Sequence, residues 1–373
     1  MTTASAPRAG RTALPRVRLY ETLRTAHLER AHELAPASIV YRRRRYDFDD
    51  ALAHGLDLVE AGPARAAWVL ARSDVRELEI NEPLMVSSLR RSALALAAVD
   101  VARFVRRRPR ARVVAYAIAN DDPFRPPARP GPAGRARRLL DARLIAHVAG
   151  RVDRVVFGTP AAEELYAARV PALRRAEHVL LPALPTACAC GEPGEPADKD
   201  PDLVLFVGAF EERKGVRELL AAWPAVVEAR PAARLTLVGK GPLLGEVRAF
   251  AVDRPEVTVV VDPPRADVHA HQRRAAVAVL LSQRTRTWRE QVGLPVVEGL
   301  AHGCAVLATT ETGLAAWLAD HGHAVLAPDA SPAEVAAAVV TLLDARRPAA
   351  SVLADLPDVD GRLAADAWLL RPR

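Results

Sequence analysis

The sequence has few lysines, few aromatic residues, few cysteines and no long uninterrupted apolar run. Only three of its 52 basic residues are lysines, and aromatic residues make up 5% of the 373-residue chain. The apolar runs are short and broken by arginine, which excludes a membrane-spanning helix. The N-terminal segment MTTASAPRAGRTALPR lacks the apolar centre of a secretory signal and is typical of a loose basic tail. These absences predict a cytoplasmic protein.

The three cysteines give little sign of structural or metal chemistry. Cys188 and Cys190 form a C-x-C in a stretch rich in proline and glycine, and Cys304 follows Gly303 in a turn that we expect to be buried. An odd count, with no histidine at ligand spacing, argues against a disulfide framework and against a zinc site. We therefore expect incidental reduced thiols and no metal.

The charge is positive, +7 overall, and nearly all of the basic residues are arginine. The clusters Arg42–Arg45 and Arg106–Arg108 are most simply interpreted as solvated surface. The alternative is attraction to an anionic ligand, or peripheral contact with the inner face of a membrane. Nucleic acid is not an expected partner, because the basic runs lack interleaved aromatic residues and contain no known binding motif.

The second half of the chain alternates between short apolar runs and helical patterns. Such repeats predict a parallel sheet with helices on both faces, which binds ligands at the carboxyl ends of its strands. The predicted strands are 203–207, 235–238, 257–261, 277–281, 305–309 and 324–326. The predicted helices are 214–227, 243–252, 266–274, 294–302, 314–320 and 332–343.

The first half also suggests an α/β domain, smaller and more helical than the second. Its predicted strands are 38–41, 75–80, 113–118 and 154–157, and its predicted helices are 21–34, 94–106 and 136–149. The length of the chain suits two domains. The predicted division is a first domain 1–184, a linker 185–201, a second domain 202–350, and a segment 351–373 whose helix 361–370 packs back on the first domain.

Two glutamates in EQVGLPVVEGLAHGCAVLATTETGL have the strongest functional pattern. Glu290 lies in a loop after a predicted strand, and Glu298 lies about one turn into the next helix. Both carboxylates can therefore border one crevice and accept hydrogen bonds from sugar or ribose hydroxyls. The free N–H groups at the helix start, near Gly293 and Leu294, would point at an anion.

A second loop, GAFEERKG at 208–215, joins a predicted strand to a predicted helix. Gly208 allows the backbone to approach a ligand closely, and Arg213 and Lys214 place positive charge at the helix start. Cations there oppose the helix dipole by a few tenths of a kcal/mol, a cost that a bound diphosphate would offset.

Together these motifs resemble the donor-binding domain of GT-B glycosyltransferases, and specifically the large retaining family 4. Glu290 and Glu298 match both ends of that family's E-x(7)-E element. Gly208, Lys214 and Gly215 match that family's G-R-x-x-x-x-K-G loop. Further turns of the family are matched by GKGP at 239–242, by Gly303 and by Thr312-Gly313. The resemblance covers about 150 residues, 203–343, and implies two Rossmann-like domains that face a central cleft.

The resemblance also implies roles for these residues. Lys214 would bind the donor diphosphate and stabilise the departing phosphate, Glu290 would contact the transferred sugar, and Glu298 would bind the ribose. Gly208, Arg213, Val292, Gly293 and Leu294 complete the implied donor site. The donor would be a UDP-, GDP- or ADP-linked sugar. No cofactor, no metal and no enzyme nucleophile would be needed, so the glutamates are not assigned as a hydrolase pair.

The sequence departs from the family in three places. The family's arginine in the phosphate loop is Ala209 here, with Arg213 as a substitute. The usual N-terminal glycine-rich loop is missing from RVRLYETLRTAHLERAHELA. Many members carry a histidine where Asn120 ends a predicted strand; Asn120 can bond a sugar hydroxyl but cannot act as a general base. Thr159 or Gly158, in a strand–helix turn, could line the acceptor side.

The expected activity is transfer of a sugar to an unidentified acceptor hydroxyl, on a glycan, a lipid-linked carrier or a natural product. One alternative is a nucleotide-sugar epimerase, which would alter its sugar without an acceptor. The other alternative, which the three departures motivate, is a degenerate GT-B protein that serves as a non-catalytic partner.

Overall fold

The computed structural model describes residues 10–45, 48–125, 131–190, 199–286 and 288–372. Residues 1–9 of the predicted basic tail and residues 191–198 of the predicted linker lie outside the described residues. The chain divides into two compact units. The first contains residues up to Leu181 together with Arg362–Arg373, and the second contains Pro182–Gly361.

The first unit is a seven-stranded parallel sheet with the strand order β3-β2-β1-β4-β5-β6-β7. Its strands are β1 (Arg16–Leu23), β2 (Ser38–Arg44), β3 (Leu58–Glu60), β4 (Glu77–Ile80), β5 (Arg112–Ala117), β6 (Arg154–Phe157) and β7 (Glu177–Leu180). Its first five helices are α1 (Thr25–Glu33), α2 (Pro63–Arg72), α3 (Val86–Val105), α4 (Pro132–Ala149) and α5 (Pro160–Arg169).

The second unit is a six-stranded parallel sheet with the strand order β10-β9-β8-β11-β12-β13. Its strands are β8 (Asp200–Val207), β9 (Arg234–Val238), β10 (Val257–Val260), β11 (Ala275–Leu280), β12 (Ala305–Thr309) and β13 (Ala324–Leu326). Its helices are α6 (Val216–Ala229), α7 (Leu244–Ala251), α8 (Arg265–Arg274), α9 (Leu294–Ala301), α10 (Ala315–Asp320), α11 (Pro332–Ala345) and α12 (Ala349–Ala354).

The central strands β8 and β11 of the second sheet are mostly apolar, because parallel sheets covered by helices are buried on both faces. In the second unit the side chains of Val204, Phe206, Val277 and Val279 pack with Trp223 of α6. The prediction of two α/β units built on parallel sheets is confirmed.

The last helix, α13 (Gly361–Leu370), packs on the sheet of the first unit. Its buried Leu369 contacts Val114 and Val156 in one apolar cluster. Asp366 also accepts a hydrogen bond at 2.7 Å from Arg18, whose side chain is only 2% exposed. This contact explains how an arginine is tolerated inside a central strand.

Strand β1 corrects the sequence-based assignment of residues 21–34 to a helix. Residues 21–23 belong to the strand, where Thr22 and Leu23 pair with Arg43 and Arg44, and the helix begins only at Thr25. The charged residues in RVRLYETL concealed the strand, because burial of Arg18 depends on acidic partners that are distant in sequence.

Among the described residues, no helix is long and apolar enough to cross a membrane.

Candidate functional site

The sheet of the second unit has a topological switch point between β8 and β11. The chain proceeds outwards from β8 to β9 and β10, then returns to start β11 on the other side of β8. In open parallel sheets, the crevice at the carboxyl end of such a switch point is the usual ligand site. The two loops that leave this point are 208–215 and 281–293, which carry both of the motifs singled out in the sequence.

Lys214 and Glu290 form an ion pair between these two loops. Their side chains are only 13% and 11% exposed. Ser282, at the end of β11, donates a second hydrogen bond to the same carboxylate oxygen at 3.0 Å. Burial lowers the pKa of Lys214 below its ordinary value, whereas the adjacent Glu290 opposes that decrease.

The loop of Lys214 lies directly against the end of β11. Gly215 has a φ of +72° and ends the short 3-10 turn Glu212–Lys214. A Cβ atom at Gly215 would lie 1.9 Å from the carbonyl oxygen of Leu281. The N–H of Gln283 also donates to the carbonyl of Arg213 at 2.9 Å. Only glycine permits this approach, which holds the lysine beside the glutamate.

Trp288 packs against the cations of the same loop. The guanidinium of Arg213 lies 4.5 Å from the centre of the indole ring, and the ammonium of Lys214 lies 5.0 Å from it. Arg213 also bonds Glu211 at 2.5 Å. Two cations therefore lie together at the start of α6, and each cation–π contact contributes about 0.5–2 kcal/mol.

The loop that precedes α9 is braced by the loop after β12. Gly293 has a φ of +85° and is the N-cap of α9, whose first residue Leu294 is 49% exposed. The carbonyl of Val292 accepts a hydrogen bond at 2.7 Å from the hydroxyl of Thr312. The first N–H groups of α9 are therefore held in place, and such groups attract anions at a helix start.

Glu298 follows on α9, and its carboxylate is held by α8. Arg265 forms an ion pair with it at 3.0 Å, and the side-chain amide of Gln272 donates to it at 3.3 Å. The carboxylate is partly buried, with 18% of its side chain exposed. It is thus oriented by two neighbours and retains accessible surface for a ligand hydroxyl.

The first unit has its own switch point, between β1 and β4. The turn after β1 is the single residue Arg24, the N-cap of α1, so there is no glycine-rich loop. Glu82 follows β4 and is buried. Its carboxylate accepts hydrogen bonds from the N–H groups of Ile118 and Ala119 at 2.8 and 2.7 Å. Burial raises the pKa of Glu82 to about 7.

Asn120 and Thr159 lie at the same carboxyl edge of the first sheet. Asn120 is 5% exposed and follows the backbone segment that Glu82 holds. Thr159 is fully buried, and its side-chain oxygen accepts a hydrogen bond from the N–H of Ala162 at 3.2 Å, which caps α5. Contact of either residue with a ligand stays a prediction.

The sequence of the second unit matches a known family. Residues 201–345 fit the model of the family "Glycosyl transferases group 1". The match lies within the second unit and covers less than half of the chain. No curated protein sequence matches the chain.

Solved structures extend the likeness to the whole chain. A sucrose-phosphate synthase of Thermosynechococcus elongatus is similar with a TM-score of 0.62 and 16% identity over 95% of this chain and 97% of its own. The Anabaena protein HepE, solved in complex with UDP, is similar with a TM-score of 0.61 and 12% identity over 95% of both chains. WaaG, a glycosyltransferase involved in lipopolysaccharide biosynthesis, is similar with a TM-score of 0.55 and 17% identity over 94% of this chain and 98% of its own.

These neighbours have the GT-B fold, so the GT-B architecture expected from the motifs is confirmed. Family and fold together make this chain a glycosyltransferase.

Sequence reasoning missed several of the supporting side chains. Ser282, Trp288 and Arg265 contact the predicted site residues, and Glu82 organises the edge of the first unit. The available signal was Trp288 itself, which lies two residues after Arg286 and two before Glu290. The other three are ordinary polar residues whose contacts depend on the folded chain.

The close approach at Gly215 makes a testable prediction. Gly215→Ala should lower the stability of the second unit by roughly 2–5 kcal/mol, because alanine at positive φ is strained and its methyl group would overlap the carbonyl of Leu281. Thermal unfolding should show a decrease in Tm of about 4–20 °C.

Gly245→Ala is the matched control, because Gly245 lies in α7 with nothing within 4 Å of its virtual Cβ atom. It should leave Tm unchanged or raise it slightly, since alanine is the better helix former. Equal Tm values for the two variants would contradict the assigned loop geometry.

Proposed function

We propose that this glycosyltransferase is a retaining enzyme of the family 4 type that transfers a sugar from a nucleoside-diphosphate sugar to an acceptor hydroxyl. The observation that carries the proposal is the partly buried Lys214–Glu290 pair at the switch point of the second sheet. The pair places a cation and a hydrogen-bond acceptor side by side at the start of α6, where an anionic leaving group and its sugar would both find partners.

In this proposal Lys214 binds the diphosphate and stabilises the negative charge that develops on the leaving phosphate. Preorganised charge of this kind is often the largest contribution to catalysis. Arg213 lies on the same ring of Trp288 and adds a second cation, which substitutes for the arginine that Ala209 replaces. The N–H groups near Gly293 and Leu294 supply further donors to the anion.

The two glutamates would bind different sugars of the donor. Glu290 would accept hydrogen bonds from the transferred sugar, because Lys214 and Ser282 fix its carboxylate in the crevice. Glu298 would bind the ribose hydroxyls, since Arg265 and Gln272 orient it without burying it completely. Gly208 and Val292 line the same site. Asn120 and Thr159 are assigned to the acceptor side.

The nucleotide is proposed to be UDP, GDP or ADP, with UDP tested first because the similar HepE structures contain UDP or UDP-glucose. The acceptor is a hydroxyl of a glycan, a lipid-linked carrier or a natural product. Retention follows from the proposed geometry, because the acceptor attacks on the face of the departing phosphate and no carboxylate acts as a covalent nucleophile.

Substitution of the two charged residues tests the assigned roles. Lys214→Ala should lower the turnover number for nucleotide release about 10²–10³-fold, because it removes charge stabilisation of the leaving group. Glu298→Gln should raise the dissociation constant of the donor about tenfold, with a smaller effect on turnover, because it weakens hydrogen bonds made in the ground state.

The matched controls are Arg248→Ala and Glu228→Gln, which change exposed residues on α7 and α6. Both controls should bind and turn over the donor normally. Unchanged kinetics in Lys214→Ala and Glu298→Gln would disprove the assigned site.

A donor panel tests the reaction itself. Calorimetry with UDP-, GDP- and ADP-glucose should identify at least one donor that binds, and NMR should show that the product keeps the α configuration of that donor. A β-configured product would rule out retention. Release of an altered free sugar without acceptor would indicate epimerisation, and a failure of every donor to bind would contradict a transferase site.

We also infer a peripheral contact with anionic membranes through the first unit. At the end of α3, Phe104 and Val105 are 83% and 72% exposed, next to the cluster Arg106–Arg108. Exposed apolar and basic groups together favour anionic lipid. This surface lies at the amino edge of the sheet, since α3 runs from the end of β4 towards the start of β5.

Replacement of Phe104 and Val105 by glutamate should therefore reduce cosedimentation with phosphatidylglycerol vesicles several-fold, because it removes the apolar contact and adds charge repulsion. The control Val359→Glu changes an exposed valine between Asp358 and Asp360. It should sediment like the unmodified protein. If the unmodified protein fails to sediment at low salt, the membrane contact does not exist.

A further inference from the structure

Four potential metal ligands from three distant parts of the chain converge in the second unit. They are Cys188 and Cys190, which precede β8, His269 on α8, and His302, the C-cap of α9. One ligand atom from each side chain lies within 4.8 Å of the others. Sequence analysis found no ligand cluster because the cysteines and histidines that meet are separated by 81 and 112 positions.

The distances within the cluster suit a tetrahedral ion. His302 Nε2 lies 3.1 Å from Cys190 Sγ and 3.0 Å from His269 Nδ1, and the latter lies 3.7 Å from Cys188 Sγ. A zinc ion with Zn–S bonds of about 2.3 Å and Zn–N bonds of about 2.0–2.1 Å spaces its ligand atoms roughly 3.3–3.8 Å apart. Only small adjustments would bring all four atoms to that spacing.

Hydrogen bonds alone account poorly for this convergence. His302 Nδ1 lies 2.6 Å from the carbonyl oxygen of Glu298, and this bond requires the proton to be on Nδ1. Nε2 then has one lone pair, which faces both Cys190 Sγ and His269 Nδ1 at close range. One lone pair accepts only one strong hydrogen bond, whereas a central metal ion would satisfy all four groups.

The residues around the cluster make hydrogen bonds that orient its side chains, as the neighbours of metal ligands commonly do. A ligating histidine usually donates its other N–H to a carbonyl or carboxylate, as His302 does. The backbone N–H of Cys188 donates to the carbonyl of Ala301 at 2.8 Å, which fixes the cysteine segment beside α9. Arg273 donates a hydrogen bond to Cys190 Sγ at 3.2 Å, which holds this sulfur beside α8.

We propose that Cys188, Cys190, His269 and His302 bind one structural zinc ion. Two thiolates and two imidazoles are a donor set that zinc favours, and four protein ligands complete a tetrahedral shell with no position left for substrate. The ion closes loops of 81 and 112 residues, which stabilises the fold as a long-range crosslink does.

The proposed ion also clamps the two helices that hold Glu298. His269 shares α8 with Arg265 and Gln272, the partners of the Glu298 carboxylate, and His302 bonds the backbone carbonyl of Glu298 itself. The ion would thus act as a positioning element for the nucleotide site. This consequence rests on the proposed function, whereas the binding of zinc does not.

Metal analysis of the full chain, purified without a histidine tag, tests the proposal directly. Mass spectrometry of the metal content should find close to one zinc per chain. Cys190→Ser and His269→Gln should lose it while their circular dichroism stays native, since Cys190 is exposed and His269 is only partly buried. Replacement of zinc by Co²⁺ should give a thiolate-to-cobalt charge-transfer band that Cys190→Ser lacks.

The controls are Cys304→Ala, which removes the one cysteine outside the cluster, and His271→Gln, which changes a second histidine of α8. Both should keep the zinc. A strong chelator should lower the Tm of the unmodified protein by about 5–10 °C, with recovery on addition of zinc.

Three results would overturn the proposal. The first is an unmodified protein that holds no zinc and gives no cobalt spectrum after reduction and reconstitution. The second is a zinc content that is the same in Cys190→Ser and His269→Gln as in the unmodified chain. The third is a Cys188–Cys190 disulfide in place of metal in the protein as isolated. None of these measurements uses a nucleotide. A failure of the zinc proposal would therefore not count against the proposed transferase activity.

Discussion

The ion pair between Lys214 and Glu290 is the constraint around which the loops at the switch point of the second unit are organised. Two opposite charges that are almost completely withdrawn from water must compensate each other, and breaking such a pair typically costs about 3–5 kcal/mol. The pair can form only because Gly215 lets one loop lie against the carbonyl of Leu281 at the end of β11. The topology of the sheet therefore determines which charged side chains meet, since the switch point brings these two loops together.

The remaining contacts of the unit hold that pair in position. The hydroxyl of Thr309 donates to the carbonyl of Ser282 at 2.6 Å, and the N–H of Gly313 donates to the carbonyl of Gln291 at 2.9 Å. The loops that follow β8, β11 and β12 are thus joined by hydrogen bonds along the carboxyl edge of the sheet. In the proposed mechanism a donor diphosphate shares Lys214 with Glu290, while Arg213 and the start of α6 contribute the additional positive potential that a second anion requires.

The sequence was most informative where local pattern and chemistry agree. The strands 154–157, 305–309 and 324–326 and the helix 361–370 are observed with the predicted bounds, because apolar runs flanked by turns depend little on distant residues. Strand β1 was missed because burial of Arg18 requires Glu79 and Asp366. Glu82 and the cluster of Cys188, Cys190, His269 and His302 were missed for the same reason, since long-range folding creates their environments.

The most direct test of the central claim is a crystal structure of the protein with a bound nucleoside-diphosphate sugar. We expect hydrogen bonds of about 2.7–3.2 Å from Lys214 Nζ to a diphosphate oxygen and from the ribose hydroxyls to the carboxylate of Glu298. The transferred sugar should lie against Glu290. A diphosphate bound away from Lys214, with the Lys214–Glu290 pair unchanged and facing no ligand, would contradict the account.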